Sequence, residues 1–281
     1  MPSRFGQIEF ATVGHGAPLL VVHGAGGGFD QVVDAASRLT AAGYQIIAPS
    51  RFGYLRSSNP DDPSPENQAD AFAVLLDELQ IQSVPIVGVS AGALSALQFT
   101  VRHPNRCRSL TLIVPAVSAT ESDRLSRLPP QGPVTKAIIE YSLKSDFLFW
   151  LGITIARDQM IRSVLATDPA LVAATTSDER QRAHDILWNI LPISERSLGI
   201  LNDICFTSTP QLIAWDRIKV PTLVISLEDD RYGTIAPARH IAVKVPGAHL
   251  VTYASGGHIW VGHNAELFGQ VDAFLRQHEN D

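Results

Sequence analysis

From Leu19 to about Pro115, short apolar runs alternate with longer stretches of helical spacing. Leu19 to Val22 (LLVV) reads as a strand and ends in the glycine-rich turn HGAGGG. A helix is expected from about Asp30 to Ala42, with Gly43 placed where a helix-ending glycine sits. Tyr44 to Ala48 (YQIIA) is the next strand. Ser64 to Leu79 begins SPEN, which puts Pro65 at a first helical position and Glu66 in the first turn. Its apolar residues Ala69, Phe72, Leu75, Leu76 and Leu79 recur at helical intervals. Val84 to Val89 then predicts a strand, Ala91 to His103 a helix and Ser109 to Val114 a strand. Strand–helix–strand repetition of this kind implies parallel strands joined by right-handed crossovers.

The alternation breaks between about Ala116 and Asp216, where helical periodicity dominates and no convincing strand is found. That stretch opens with the polar, proline-containing SATESDRLSRLPPQGP and continues with Tyr141, Phe147, Phe149, Trp150 and Leu151. Alternation resumes with the strand TLVIS after Pro221, a helix from Ile235 to Val243, the strand HLVTY and a helix from about Asn264 to Gln277. The expected architecture is an α/β core with a mostly parallel central sheet and helices on both faces. Residues 1–115 and 217–281 form that core, and residues 116–216 are a helical insertion.

Composition narrows the functional classes. Apolar residues make up 45% of the 281 positions and charged residues only 18%, which suits a sheet covered on both faces. Cys107 and Cys205 are too few for a disulfide framework, and both are expected to be buried thiols. A net charge of −6 argues against a nucleic-acid partner, which would require a basic face. The opening MPSRFGQIEFATVG has no apolar core of a secretory signal, and no apolar run is long enough to span a bilayer. A cytoplasmic protein is expected.

Gly88-Val89-Ser90-Ala91-Gly92 matches G-x-S-x-G, directly after the strand VPIVGV and at the start of the helix AGALSALQFTVRH. A sharp strand-to-helix turn would lift the Ser90 hydroxyl above the sheet and near backbone donors at a helix start. An ordinary glycine-rich turn reads the same way in isolation. His23-Gly24-Ala25-Gly26-Gly27-Gly28 ends an earlier strand and offers close-approaching backbone. The Ala25 and Ala91 amides are the candidate donors for an oxyanion. The loop lacks the spacings of phosphate-binding turns, and His23 is expected to be structural. Glu228-Asp229-Asp230-Arg231 follows TLVIS, and Gly256-Gly257-His258 follows HLVTY. Serine, acid and histidine thus stand in that order at the ends of successive strands, which converge on one crevice in an open parallel sheet. His258 is expected to be the base, and His263 a structural or rim residue. The nine histidines show no metal-ligand spacing, and neither a metal nor a cofactor is expected.

The segments HGAGG, GVSAG, RHPNRCRSLTLIVP, PTLVISLEDD and GGHIWVGH resemble the α/β-hydrolase superfamily in its capped, single-chain form, over nearly the whole chain. In that family the acid sits three residues beyond the glycine of a strand-end H-G-x-x-D pattern. Here Ser226-Leu227 replaces His-Gly, and the same count lands on Asp230, with Asp229 left as an alternative. The resemblance implies that residues 116–216 are a cap and that the activity is that of an esterase, lipase, thioesterase, carbon–carbon hydrolase or lyase. Ser90 in place of an aspartate, and Ala91 in place of the methionine of haloperoxidase-like members, weigh against those relatives. The expected reaction is hydrolysis of a carboxylic ester of a small, apolar acyl substrate through a Ser90–His258–Asp230 triad. Phe147, Phe149, Trp150 and Trp188 are expected to contribute to the substrate pocket. The competing reading from another class is a ligand-binding protein on a hydrolase scaffold.

Overall fold

The computed structural model describes residues 1–35, 37–118 and 141–279. Its centre is a seven-stranded sheet. The strands in chain order are β3 (Phe10–Val13), β4 (Ala17–Val22), β5 (Tyr44–Pro49), β6 (Val84–Val89), β7 (Cys107–Ile113), β8 (Thr222–Leu227) and β9 (His249–Tyr253), preceded by a small hairpin of β1 (Pro2–Ser3) and β2 (Gly6–Gln7). The spatial order is β3-β5-β4-β6-β7-β8-β9, and every neighbour pairs in parallel except β3, which runs antiparallel to β5. That antiparallel edge and the hairpin are additions to the expected sheet. Their segments are two to four residues long and exposed or only half-buried, so they carry neither a long apolar run nor a clear alternation.

The central strands are apolar throughout because both faces are covered. Along β4, Leu20 and Val22 enter one core with Ile86 and Val224, while Leu19 and Val21 enter the opposite core with Val87 and Ile225. The first core is closed by α3 (Pro65–Glu78), α4 (Gly92–Arg102) and α10 (Ile235–Lys244), through Phe72, Leu97 and Ile241 among others. The second is closed by α1 (Phe29–Ala35), α2 (Ser37–Ala41) and α11 (Asn264–Gln277), through Val32, Leu39 and Val271. Within the expected helix over Asp30–Ala42, the described residues on both sides of residue 36 are helical, and residue 36 lies outside the described residues. Gly43 has a positive φ of 99° and ends α2 as expected. Ser64 caps α3 by accepting the Asn67 amide at 3.3 Å.

Between β7 and β8 the described elements are helices: α5 (Asp146–Ile155), α6 (Arg157–Val164), α7 (Pro169–Ala174), α8 (Ser177–Trp188) and α9 (Ser197–Thr207). Most of the polar SATESDRLSRLPPQGP stretch lies outside the described residues. The helices share an apolar cluster of their own, including Phe149, Ile153, Ile161 and Leu187. Two residues that follow β9, Ile259 and Val261, complete it. Cys107 is buried as expected, but Cys205 is exposed; both are free thiols. Cys205 lies on α9 between the inward-facing Asp203 and the partly buried Phe206, on the solvent side of that helix.

Candidate active site

The chain passes from β4 outward to β5 and then returns to the other side of β4 as β6, so the strand order reverses between β4 and β6. Such a switch point opens a crevice at the carboxyl ends of the strands. Val22 pairs with Gly88, which brings the loop after β4 alongside the turn after β6. The approach is close: a Cβ on Gly24 would lie 2.9 Å from the Ser90 Cβ, and one on Gly88 would lie 2.7 Å from the Ala96 Cβ. A Cβ on Gly92 would overlap the carbonyl oxygen of His23. Glycine at 24, 88 and 92 therefore lets α4 and the β4 loop close around the turn.

Ser90 occupies that turn with φ of 51°, in the left-handed region that a serine seldom adopts. Its backbone is held by Ser90 N–H donating to Ile113 O at 2.9 Å and by Ala93 and Ala116 amides donating to Ser90 O. The strained turn aims Oγ at His258, whose Nε2 lies 2.9 Å away. On its other side, His258 Nδ1 is 2.8 Å from Asp230 Oδ2. Since the carboxylate only accepts, Nδ1 carries the proton and Nε2 is left to accept from the serine. All three residues are buried.

Asp230 also accepts the Thr234 hydroxyl on Oδ2 and the Tyr232 amide on Oδ1, the latter at 2.8 Å. Burial alone would raise its carboxyl, but His258 and these donors together hold it below the usual carboxylate range. Asp229, the alternative acid, faces elsewhere. Its two oxygens accept the amides of Gly256 and Gly257 at 3.1 and 2.9 Å, so it fastens the loop that carries His258. From the helical insertion, Arg182 on α8 donates to Ile259 O at 2.8 Å and Glu179 accepts the Gly262 amide at 3.1 Å, which holds the same loop from its far side. Tyr232 stands edge-on to the His258 ring at 4.8 Å. Tyr232, Thr234, Glu179 and Arg182 have no motif to announce them. Tyr232 and Thr234 meet Asp230 from within its own turn, two and four residues along, in a pattern that no motif marks, whereas Glu179 and Arg182 reach the His258 loop from 83 and 77 residues away.

His23 is fully buried, as its structural reading requires. Nδ1 lies 2.7 Å from Gly24 O and Nε2 2.9 Å from the Arg51 amide nitrogen, so one ring nitrogen donates and the other accepts. Burial, and then the charge of Arg51, push its imidazole well below the ordinary value. His263 stacks on Tyr253 at 4.3 Å and lies 3.4 Å from Glu266, apart from Ser90.

Ser90, His258, Gly24 and Ala25 border a cavity of about 1540 Å³. Its lining is largely apolar and includes Phe149, Leu165, Ile190 and Ile204 from the insertion. Of the four aromatic residues expected in a pocket, only Phe149 lines it. Phe147 is 64% exposed, Trp150 42% and Trp188 38%. Helical geometry explains the difference: Phe149 and Ile153 share the buried face of α5, while Phe147 and Trp150 share the opposite face and stack on each other at 5.8 Å. On α8, Ala183 and Leu187 take the inward positions and Trp188 falls one residue past them. The Ala25 and Ala91 amides, one exposed on the cavity wall and one at the start of α4, make no hydrogen bond to the described residues. Among the described residues, no group of histidine, cysteine and carboxylate side chains is placed to hold a metal ion, and no helix is long and apolar enough to cross a membrane.

A family model for the alpha/beta hydrolase fold matches residues 17–261. The chain is similar to "Uncharacterized hydrolase YcgS" of Bacillus subtilis, with 29% identity over 95% of this chain and 93% of that protein. It is also similar to a 2-hydroxymuconate semialdehyde hydrolase of Pseudomonas putida, with 35% identity over 94% of this chain and 89% of that one. Among solved structures, an alpha/beta hydrolase fold protein from Nakamurella multipartita superposes with a TM-score of 0.75 at 24% identity, covering 98% of this chain and 97% of its own.

Proposed function

Because this chain belongs to the alpha/beta hydrolase fold family and is a hydrolase, we propose that it cleaves a neutral, apolar carboxylic ester through an acyl-enzyme on Ser90. The observation that carries this reading is the unbroken line from Ser90 Oγ to His258 Nε2 at 2.9 Å and from His258 Nδ1 to Asp230 Oδ2 at 2.8 Å. In that arrangement His258 takes the Ser90 proton as Oγ attacks the ester carbon, and Asp230 stabilises the imidazolium that results. The Ala25 and Ala91 amides receive the negative charge on the carbonyl oxygen, at ~3–4 kcal/mol per donor. His258 then passes its proton to the departing alcohol. A water deprotonated by His258 attacks the acyl carbon, and Ser90 leaves with its proton restored. These steps need neither a metal nor a cofactor. Helices α5 to α9 act as the cap, and residues such as Phe149 and Ile190 receive the apolar part of the substrate.

Similarity to a 2-hydroxy-6-oxo-6-phenylhexa-2,4-dienoate hydrolase of Burkholderia cepacia, 24% identical over 94% of this chain, supports a second reading, hydrolysis of a carbon–carbon bond in a dienoate. Such a substrate carries a carboxylate, which needs a cation within reach. Among the described lining residues, Arg182 is the sole arginine or lysine, and its fork is taken by Glu179 and the Ile259 carbonyl. That favours a neutral substrate. Steady-state turnover on a panel of neutral aryl and alkyl esters, beside a vinylogous diketo acid, tests the choice. The proposal expects the esters to be turned over with far higher kcat/KM. Preference for the diketo acid would overturn the ester assignment, and binding without multiple turnovers of either class would overturn hydrolysis.

A further inference from the structure

Between His23 and Gly27 the loop that carries Ala25 is fastened at four carbonyls and two amides. His23 O accepts Arg51 Nε at 3.0 Å, and Gly24 O accepts the Gly27 amide at 3.2 Å. Gly26 O accepts Gln31 Nε2 at 3.1 Å, and Gly27 O accepts Arg196 Nη1 at 2.6 Å. The Gly26 amide donates to the Tyr54 hydroxyl at 3.2 Å, and that hydroxyl donates in turn to Asp203 Oδ2. Asp203 belongs to α9 of the helical insertion and also receives both arms of Arg51, each at 2.6 Å. Tyr54, Arg51 and Asp203 are all buried.

The Tyr54 ring has little room to move. It meets His23 edge-on at 4.7 Å and lies flush on α9 at Gly199, where a Cβ would overlap the ring. A buried hydroxyl, guanidinium and carboxylate are a poor source of stability, because hydrocarbon of the same volume often serves as well. What this group does specify is direction. The Tyr54 oxygen fixes where the Gly26 N–H points, and with it the plane of the Ala25–Gly26 peptide. The preceding peptide presents the Ala25 N–H, which has no hydrogen-bond partner among the described residues.

We propose that Tyr54 is a positioning residue for the oxyanion loop, with Asp203 on α9 fixing its hydroxyl and Arg51 fixing Asp203. One buried network then sets the helical insertion and the oxyanion donor relative to each other. The inference rests on the assignment of the Ala25 amide to the oxyanion, and it adds three residues whose effect is exerted through that loop.

Tyr54→Phe keeps the ring and removes only the hydroxyl. The experiment begins with the unmodified enzyme, labelled by an alkyl phosphonate and mapped by mass spectrometry. For Tyr54→Phe, kcat on a neutral activated ester should fall roughly 10- to 100-fold while KM stays within about twofold. Affinity for an alkylboronic acid, whose adduct on Ser90 is tetrahedral, should fall by a comparable factor. Affinity for the product alcohol, which presents no oxyanion, should hold. Asp203→Asn should shift the same three quantities in the same direction, and it serves if the Tyr54 variant does not fold. Unchanged kcat and boronate affinity in a folded variant, whatever its melting temperature, would overturn the proposal. Failure of the unmodified enzyme to form a Ser90 adduct would instead overturn the hydrolytic reading, and this inference with it.

Discussion

Ser90, Asp229 and Asp230 show how far a motif reaches and where it stops. The G-x-S-x-G match and the strand before it are enough to place Ser90 at the turn. Nothing local separates two adjacent aspartates; only the hydrogen-bond partners do. Asp230 sits on the His258 imidazole, whereas Asp229 sits on the Gly256 and Gly257 amides. Asp230→Asn should therefore lower kcat by ~10⁴, because the imidazole loses the acceptor that fixes its tautomer. Asp229→Asn should cost far less, and a steady-state comparison of the two variants decides between them. A second residue-scale expectation concerns His23. Its folded pKa lies below that of the unfolded chain, so the native state binds fewer protons and stability is complete above about pH 6.5. Stability should fall as the pH drops from there towards the folded value, by up to ~1.4 kcal/mol per pH unit. Urea unfolding at a series of pH values measures this slope. Subtraction of a His23→Asn variant isolates it from His184, whose imidazole is lowered by burial and Arg157 in the same window. Asp230 titrates in a separate window: its stabilisation is present above about pH 4 and is lost only below that.

Among the elements, the strands and long helices were the most legible. β6, β9 and α11 have the bounds that their apolar patterns give: β6 is buried along almost its whole length, and α11 buries one face through Leu267, Phe268, Val271 and Leu275. The edge strand β3 was not, since a short, half-buried segment carries little periodicity. The helices of the insertion could be read as helices but not rotated correctly. In α5 (DFLFWLGITI), apolar residues occupy nearly every position, so no stripe marks the inward face. Packing puts Phe149 inward and Phe147 outward. Phe149→Ala should destabilise by ~3–5 kcal/mol and shift preference towards longer acyl chains, while Phe147→Ala should stay within about 0.5 kcal/mol and leave that preference alone. Thermal denaturation and an acyl-chain series check both statements. The His258 loop belongs to this scale too, because Ile259 and Val261 sit in the apolar cluster of the insertion. Repacking of that cluster should therefore reach the active site as well as the stability.

At the scale of the molecule, a single reversal of strand order creates the site. It places the loop after β4 beside the turn after β6, and the remaining parallel strands bring Asp230 and His258 to the same end. The alternation of strands and helices makes this architecture legible from sequence. The side-chain ties between core and insertion are not legible, since Arg51 and Asp203 stand 152 residues apart and Arg196 and Asp30 stand 166 apart. The account as a whole depends on one atom, the Ser90 Oγ, being the nucleophile at that convergence. Treatment with an alkyl fluorophosphonate, followed by peptide mapping in a mass spectrometer, tests this most directly. The expected result is a single adduct, on Ser90, that forms in step with loss of esterase activity and is absent from both Ser90→Ala and His258→Ala. Inactivation with the adduct on another residue, or undiminished ester turnover by folded Ser90→Ala, would contradict it.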